Sequence, residues 1–416
     1  MRSRIALSAV IGLAMTSYGG FAADGAGGLP EVVETTDSPD AWEVEHGSAI
    51  AWALGLTQIY QQNVHGGLST SRRTGRYAGS YDVEASIDLE HALGLVDSAA
   101  YMLLEGGWPD AGSIDPAAVG SFFGVNGDAI EGEWIDVAEL WYLRSLADDR
   151  LFVQVGKADL TAGFEYLDVV SAFDLNRYAN DEVSQFLNGA LVNNPTIPFP
   201  AYSLAVSAVA KPRDNLQFAA AGAAQTADSD IDEIASWASD DEGLFFIFQG
   251  SLLPLPERTL GAGQGAYHVG GWWTGGGDLA AEDESRGAYF SASWWFPRED
   301  GRRDTERGLG VFGRYGWADG DTVELEHFWS VGLQYQGLLD SRASDVLGLG
   351  FAQGEFADAN PAAPRGRERV VELYYHMPMN SWLSVSPDVQ YIADPGGETD
   401  ARDAVVIGLR AQIVFE

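Results

Sequence analysis

Regular alternation of apolar and polar residues is the feature that most constrains how this chain of 416 residues can fold. In the stretch LSVSPDVQY (383–391) every second residue is apolar, and the residues between them are Ser384, Ser386, Asp388 and Gln390. A period of two indicates a β-strand with one apolar and one polar face. In a water-soluble protein the apolar face is buried, whereas in an outer-membrane barrel it meets lipid and the polar face lines the interior.

Alternating segments recur along almost the whole chain, and we count about sixteen of them. The predicted strands are 49–60, 80–91, 98–107, 132–144, 150–158, 202–211, 215–225, 243–253, 264–274, 286–296, 308–317, 327–338, 345–355, 368–377, 380–392 and 402–415. Connections after odd-numbered strands are mostly long and those after even-numbered strands mostly short, as in barrels with both termini in the periplasm. The sequence therefore predicts an all-β fold: a transmembrane antiparallel up-and-down β-barrel of the outer-membrane porin type, with about 16 strands.

A soluble all-β protein, either a pair of sandwiches or a propeller, is the main alternative because its strands also alternate. Three observations favour the membrane barrel. The polar faces are dense in charge, and no repeat typical of propeller blades is visible. In addition, aromatic residues cluster near the predicted strand ends, as expected of the girdles at a membrane interface: Trp272, Trp273, Trp294, Trp295, Trp329, Tyr374 and Tyr375.

The N-terminus has the form of an export signal. A basic start, MRSR, precedes the apolar run IALSAVIGLAM, and small residues follow at Gly20 and Ala22. This pattern predicts a cleaved signal peptide at 1–22, and a membrane anchor is less well supported because it needs about 20 apolar residues. We expect a periplasmic segment at 23–45 and the barrel at 46–416, in the outer membrane of a Gram-negative bacterium.

The composition argues against several other classes of protein. With 24 basic and 61 acidic residues the formal charge is −37, which disfavours nucleic acid as a partner. The chain has no cysteine, and its six histidines are scattered without metal-ligand spacing. We therefore expect no catalytic residues, no metal and no cofactor, although a barrel enzyme remains an alternative. Outer-membrane lipids are the expected surroundings, and both a monomer and a trimer stay open.

The longest predicted loop, 159–201, is the natural candidate to fold into the barrel and narrow it. The loop contains aromatic residues, such as Phe164, together with amide side chains and few charged residues, of which Arg177 is one. Aromatic rings stack on the C–H faces of sugars while amides and charged groups hydrogen-bond the hydroxyls, so the loop suits a carbohydrate pathway. The alternative is that these rings only pack the loop against the barrel wall.

The last three predicted strands place further candidates on the interior face. Alternation puts Glu372 and Tyr374 on one strand, Asp388 and Gln390 on the next, and Arg410 on the last. An arginine opposed by carboxylates across a lumen can set the field of a pore and orient hydroxyl-bearing solutes. A salt-bridged wall with no role in selectivity is the competing interpretation.

Pro387 is an unusual residue for such a strand because proline cannot donate a backbone hydrogen bond. On this assignment its ring points outward to lipid. We therefore expect either one missing inter-strand hydrogen bond or a β-bulge at this position.

Several stretches resemble the carbohydrate-selective porins of the OprB family. The resemblance is most specific in VVELYYHMPMNSWLSVSPDVQYIADPGG and DAVVIGLRAQIVF near the C-terminus, and AELWYLRSLADDRLFVQVGKADLTAGF adds Glu139 and Lys157. The resemblance implies a sixteen-stranded porin that passes small neutral sugars, such as the monosaccharide glucose, by passive diffusion. Because the strong negative charge could repel anions, a general or cation-preferring porin is the alternative.

Overall fold

Sixteen antiparallel strands close into a barrel in which β1 pairs with both β2 and β16. The computed structural model describes residues 49–71, 75–108, 112–127, 135–161, 185–200, 202–225, 243–252, 264–275, 284–297, 307–360, 364 and 366–415. The strands are β1 Ile50–His65, β2 Gly75–Asp88, β3 Ser98–Gly107, β4 Ile135–Leu146, β5 Leu151–Ala158, β6 Ser203–Arg213, β7 Leu216–Gln225, β8 Gly243–Leu252, β9 Gln264–Gly275, β10 Ser285–Pro297, β11 Gly308–Ala318, β12 Leu325–Gln336, β13 Val346–Phe356, β14 Arg367–Pro378, β15 Leu383–Ala393 and β16 Ala404–Phe415. The predicted barrel fold is thereby confirmed.

Helical structure in the described residues is confined to short elements between strands. These are α1 (Leu89–Leu93), a π-helical turn (Asp115–Val119), α2 (Gly189–Val192) and a 3-10 turn (Pro395–Gly397). Within the described ranges no helix has the length and apolar character needed to cross a membrane. The predicted signal peptide at 1–22 and the segment at 23–45 lie outside the described residues.

All sixteen predicted segments overlap an observed strand, but the second was predicted to extend too far. We expected a strand over 80–91, whereas β2 ends at Asp88 and α1 follows. The Asp88 side chain accepts a 3.0 Å hydrogen bond from the backbone N–H of His91, which caps the helix, and Gly94 ends it at a φ of 72°. A local cap therefore overrides the alternation that continues through Glu90.

The apolar faces of the strands point outward, as predicted for a membrane barrel. On β15, Val389 and Tyr391 are 37% and 43% exposed, whereas Ser386 and Gln390 on the other face are 2% and 0% exposed. The same division continues on β16, where Leu409 is 49% exposed. Because the sheet is closed, its buried polar face is the inside of the barrel.

The predicted girdle of aromatic residues is only partly correct. Trp273 and Trp294 are half-buried on the outer face, but Trp272 and Trp295 point inward and are 2% and 8% exposed. Consecutive residues of a strand face opposite sides of the sheet, so a Trp-Trp pair cannot place both rings in one girdle.

Pro387 faces outward and is exposed, and pairing is interrupted beside it. The ladder between β14 and β15 pairs Tyr374 with Asp388 and resumes with Met377 opposite Val385, in the same register. On its other side Pro387 is paired regularly with Leu409 of β16. A gap in pairing, one of the two predicted alternatives, is therefore present, and the bulge is absent because the register does not shift.

The outward direction of the apolar face can be tested with two adjacent residues of β10. Phe290 is 45% exposed on the outer face, and Ser291 is half-buried on the inner face. Phe290→Arg should destabilise the barrel in lipid by about 2–4 kcal/mol, because a guanidinium then enters the hydrocarbon layer. Ser291→Arg, the matched control, should cost much less: it stands opposite Arg314, a like-charge pair worth roughly 0.2–1 kcal/mol, but its guanidinium stays in the channel. Denaturant titration of vesicle-inserted protein, with heat-modifiable gel migration as the readout of folding, measures the free energy of unfolding of both variants. Equal costs would contradict the outward direction of the apolar face.

Candidate functional site

Two segments between strands fold into the barrel and contact its inner wall. We name residues 112–127, between β3 and β4, the first inner segment, and residues 185–200, between β5 and β6, the second inner segment. The carbonyl oxygen of Val125 in the first accepts hydrogen bonds from Nε2 of Gln61 on β1, at 2.7 Å, and of Gln390 on β15, at 2.9 Å. Inward-facing amides on two strands thus hold this segment inside the barrel.

Glu368 on β14 is the main anchor of the first inner segment. Its carboxylate accepts a 2.8 Å hydrogen bond from the backbone N–H of Phe122 and another from the hydroxyl of Ser121. It also accepts from the backbone N–H of Gly396, in the connection between β15 and β16. Glu368 is fully buried, and these donors replace the water that a charged carboxylate would otherwise need.

Glu372, four residues further along the same face of β14, has the same role for the second inner segment. Its two oxygens accept from the backbone N–H groups of Leu187, at 2.7 Å, and Asn188, at 2.9 Å. The Asn188 side chain donates to Gln390 at 3.0 Å and accepts from the N–H of Ala190 at 3.1 Å, which caps α2. Two glutamates on one strand therefore fix two different inner segments.

The two inner segments are also bonded directly to each other. The N–H of Gly127 donates to the carbonyl of Leu187 at 2.7 Å, and the N–H of Gly189 donates to that of Gly124 at 3.3 Å. Backbone pairing between them makes the two segments one layer over the wall, so the anchor of either supports both.

The second inner segment runs along the inner wall from β15 to β8. Phe186 packs edge-on against Tyr374 of β14, with ring centroids 4.9 Å apart. The carbonyl of Val192 then accepts from Nη1 of Arg314 on β11 at 3.0 Å. Farther on, the ring of Phe199 lies 6.0 Å from that of Phe245 on β8. The segment therefore occupies part of the lumen along half of the barrel's circumference.

Small residues on the inner face of β13 make room for this layer. Gly350 leaves space for Leu191, whose Cδ1 would stand 2.7 Å from a Cβ at that position. Gly354 does the same for Phe123, whose Cζ would stand at 2.5 Å. A larger side chain at either glycine would displace the segment packed against it.

A hydrogen-bond network on β14, β15 and β16 contacts the start of the second inner segment. The Oε1 atom of Gln185 accepts from Nη2 of Arg410 at 2.8 Å and from the hydroxyl of Ser386 at 2.9 Å. Nδ1 of His376 lies 2.9 Å from the same hydroxyl. Arg410 and Ser386 are register neighbours on adjacent strands. Asp388, two residues away on β15, therefore shares a wall with Arg410 and does not face it across the lumen.

Comparison with known proteins gives this barrel a family. The sequence matches the carbohydrate-selective porin, OprB family, over residues 72–415. The chain belongs to the OprB family. The structure of Pseudomonas putida OprB at high pH covers 88% of this chain and 94% of its own, with a TM-score of 0.73 and 20% identity, a likeness of fold.

Two relatives of known name support this membership. Porin B of Pseudomonas aeruginosa is 28% identical over 210 residues, which is 40% of this chain and 46% of that protein. Porin AaxA of Chlamydia trachomatis serovar L2 is 26% identical over 281 residues, 67% of this chain and 55% of that protein. The chain thus spans about half the length of these relatives.

In this OprB-family barrel, the predicted pathway residues of β14 to β16 are buried, and the second inner segment contacts all of them except Asp388. The five side chains are between 0% and 7% exposed: Glu372, Tyr374, Asp388, Gln390 and Arg410. Alternation placed all five on the correct face, but four of them are occupied by contacts with the second inner segment. Their part in the solute pathway stays a prediction, and the contacts assign four of them, all except Asp388, to holding the second inner segment and its start.

The other predicted pathway residues are divided between the buried wall and the undescribed chain. Glu139 on β4 is 1% exposed and accepts from Nε1 of Trp141 at 3.0 Å and from the N–H of Asp159 at 3.1 Å. Lys157 on β5 is 7% exposed and donates from Nζ to the carbonyl of Val137 at 2.7 Å. Phe164 and Arg177, like the rest of 162–184 in the predicted constriction loop, lie outside the described residues.

Sequence reasoning missed two groups of interior residues in the OprB-family barrel. Glu368 was overlooked, although its spacing of four from Glu372 places both on one face of β14. Polar residues on β8 to β10, including Gln249 and His268, were missed because the inner faces of these strands also carry apolar residues such as Phe245. Among the described residues no group of three or more His, Asp or Glu could hold a metal ion.

Burial gives Asp115, in the first inner segment, an unusual titration. Desolvation raises the pKa of its carboxyl to about 7, and the charge of Glu368 adds to this shift. The carboxylate also accepts a 3.0 Å hydrogen bond from the backbone N–H of Ser121, which opposes the shift. A raised pKa means that the folded segment binds the proton more tightly than the unfolded chain. The contribution of protonated Asp115 to the stability of the folded segment is therefore complete below pH 3.8 and is lost as the pH rises towards about 7.

We therefore expect the first inner segment to loosen as the pH rises from about 4 to about 7. Hydrogen–deuterium exchange of the 112–127 peptide, corrected for the intrinsic pH dependence of exchange, should lose protection over this range. Asp115→Asn should flatten the profile, because the amide can still accept from Ser121 without gaining charge. The same slope in both proteins would contradict this assignment.

The role of Glu372 as an anchor gives a second test. Glu372→Ala leaves the N–H groups of Leu187 and Asn188 without their acceptor, at a cost of about 1–3 kcal/mol. Exchange of the 185–200 peptide should therefore accelerate by about tenfold or more. The control is Glu355→Ala, which removes a half-exposed outward carboxylate paired with Arg367. Unchanged exchange in Glu372→Ala would rule out the anchoring role.

Proposed function

We propose that this protein lets carbohydrates, monosaccharides such as glucose in particular, diffuse passively across the outer membrane into the periplasm. The observation that carries the proposal is the match to the carbohydrate-selective porin family over residues 72–415. The closed sixteen-stranded barrel supports it, since barrels of this size enclose an aqueous channel. The solute passes through unaltered, so the proposal requires no catalytic step and no cofactor.

The inner segments support selectivity rather than an open pore. The second inner segment occupies the lumen between β15 and β8, where it narrows the passage past the wall. Buried Glu372 and Gln390 support its start and Arg314 contacts its middle. We propose that these residues act on the solute indirectly, by fixing the segment that forms the constriction. That Phe164 and Arg177, which lie outside the described residues, take part in the solute pathway stays a prediction.

We also propose the cellular setting of this activity. Residues 1–22 would direct export and be cleaved, and the outward apolar faces would then meet outer-membrane lipid. Small neutral sugars would be the transported partners, and nucleic acid would not be a partner. Whether the barrel acts as a monomer or a trimer stays a prediction.

Sugar permeability of reconstituted vesicles tests the proposal. Purified protein in lipid vesicles should make them swell in isosmotic glucose, faster than vesicles prepared with heat-denatured protein. Glucose entry is expected because the solute fits a channel of this strand number. Folded barrels that conduct ions but do not admit glucose would contradict carbohydrate diffusion and favour the general or cation-preferring porin.

A further inference from the structure

A row of polar side chains crosses five adjacent strands on the inner wall. Gln217 of β7, Ser251 of β8, His268 of β9, Ser291 of β10 and Arg314 of β11 are each the direct register partner of the next. We call these five residues the polar row. Directly opposite residues on neighbouring strands have Cβ atoms about 4.5–5.5 Å apart, so the row is continuous.

Hydrogen bonds fix the centre of the row. Nδ1 of His268 lies 2.8 Å from the hydroxyl of Ser251, and Nε2 of Gln249 donates to that hydroxyl at 3.1 Å. The hydroxyl of Tyr289 in turn donates to Oε1 of Gln249 at 3.0 Å. These bonds hold the amide and the imidazole in defined orientations before any solute arrives, which lowers the ordering cost of binding.

A glycine makes the contact between Tyr289 and Gln249 possible. Gly270 of β9 lies between them as the register partner of both. A Cβ at Gly270 would stand 2.3 Å from Cζ of Tyr289 and 2.4 Å from its hydroxyl. The tyrosine ring therefore crosses β9 through space that only glycine leaves open.

The row is open to the lumen at the members that could meet a solute. Gln249, His268, Ser291 and Arg314 are each partly exposed, in contrast to the fully buried Glu368 and Glu372. Because Nδ1 of His268 is engaged by Ser251, Nε2 is the ring nitrogen left to interact with a solute. Arg314 joins the row to the second inner segment through Val192.

From this arrangement we propose that the partly exposed part of the polar row, His268, Ser291 and Arg314, together with Gln249, is a binding site for the hydroxyl groups of a neutral monosaccharide passing through the channel. Amide, hydroxyl and imidazole groups supply both donors and acceptors, which a polyol needs and a simple ion does not. One guanidinium donates without giving the row the several positive charges that an anion site would favour. The inference rests on the proposed carbohydrate transport and names the site that would give it selectivity.

Sugar block of single-channel current tests the site. Wild-type protein in a planar bilayer should show an ion current that falls as glucose is added. Gln249→Met and His268→Leu should each raise the half-blocking glucose concentration by about 3- to 10-fold, because each removes one or two hydrogen bonds. The matched control is Gln353→Met, which changes a half-buried glutamine on the outer face of β13, out of reach of a solute in the channel. Its block should equal that of the wild type.

Gly270→Ala provides a second, independent variant. It replaces no polar side chain, but its Cβ crowds the carbonyl of Phe248 and drives the Tyr289 ring away from Gln249. Block should therefore weaken while the open-channel current stays close to that of the wild type. Heat-modifiable gel migration establishes that each variant is folded. If one of these variants fails to fold, Ser291→Ala is used in its place, and it too should raise the half-blocking glucose concentration.

The outcomes separate this inference from the proposed function. Vesicles that admit glucose, with a current that is never blocked or is blocked equally in all variants, would overturn the polar row and leave carbohydrate transport standing. Vesicles that exclude glucose would overturn both. Stronger block by gluconate than by glucose would overturn the neutral-sugar assignment, because the row would then be an anion site.

Discussion

The constraint on which the structure depends is that every backbone N–H and C=O group facing lipid must find a partner within the sheet. Hydrocarbon offers no hydrogen bonds, so an open edge would cost several kcal/mol for each unpaired group. Pairing of β1 with β16 removes both edges, and it forces all side chains to lie either outside or inside. At Pro387 the ladder with β14 is interrupted. The residue lacks an N–H, and its neighbour Ser386 instead meets His376 through its side chain inside the barrel.

Closure of the sheet also creates an interior in which some polar side chains contact protein instead of water. Where the inner segments cover the wall, buried carboxylates such as Glu368 and Glu372 bind backbone N–H groups in place of solvent. Phe245 shows the apolar counterpart, an inward ring packed against Phe199 of the second inner segment. Along parts of the polar row the described segments leave the wall partly exposed, and there it faces the channel. The inside of the barrel thus combines a packed core with a wet surface.

This division explains which features could be predicted from the sequence. Alternation is local, so it located all sixteen strands and put Glu372, Gln390 and Arg410 on the inner face. It could not show that these residues are covered, because the segment over them is distant in sequence. Nor could it find the polar row: a slip of two residues leaves each side chain on its face but changes every cross-strand neighbour. Register, which aligns His268 with Ser291, emerges only from the closed sheet.

The covered carboxylates also change what the charge of the chain means for a solute. A formal charge of −37 first suggests a channel that favours cations. Yet Glu368, Glu372 and Asp388 are at most 7% exposed, and the first two are occupied by the inner segments that they hold. The uncovered members of the polar row are instead an imidazole, a hydroxyl and a guanidinium, at His268, Ser291 and Arg314. These carboxylates lie on β14 and β15, whereas the polar row crosses β7 to β11. A solute at the row therefore meets hydrogen-bonding groups and one guanidinium, which suits an uncharged sugar.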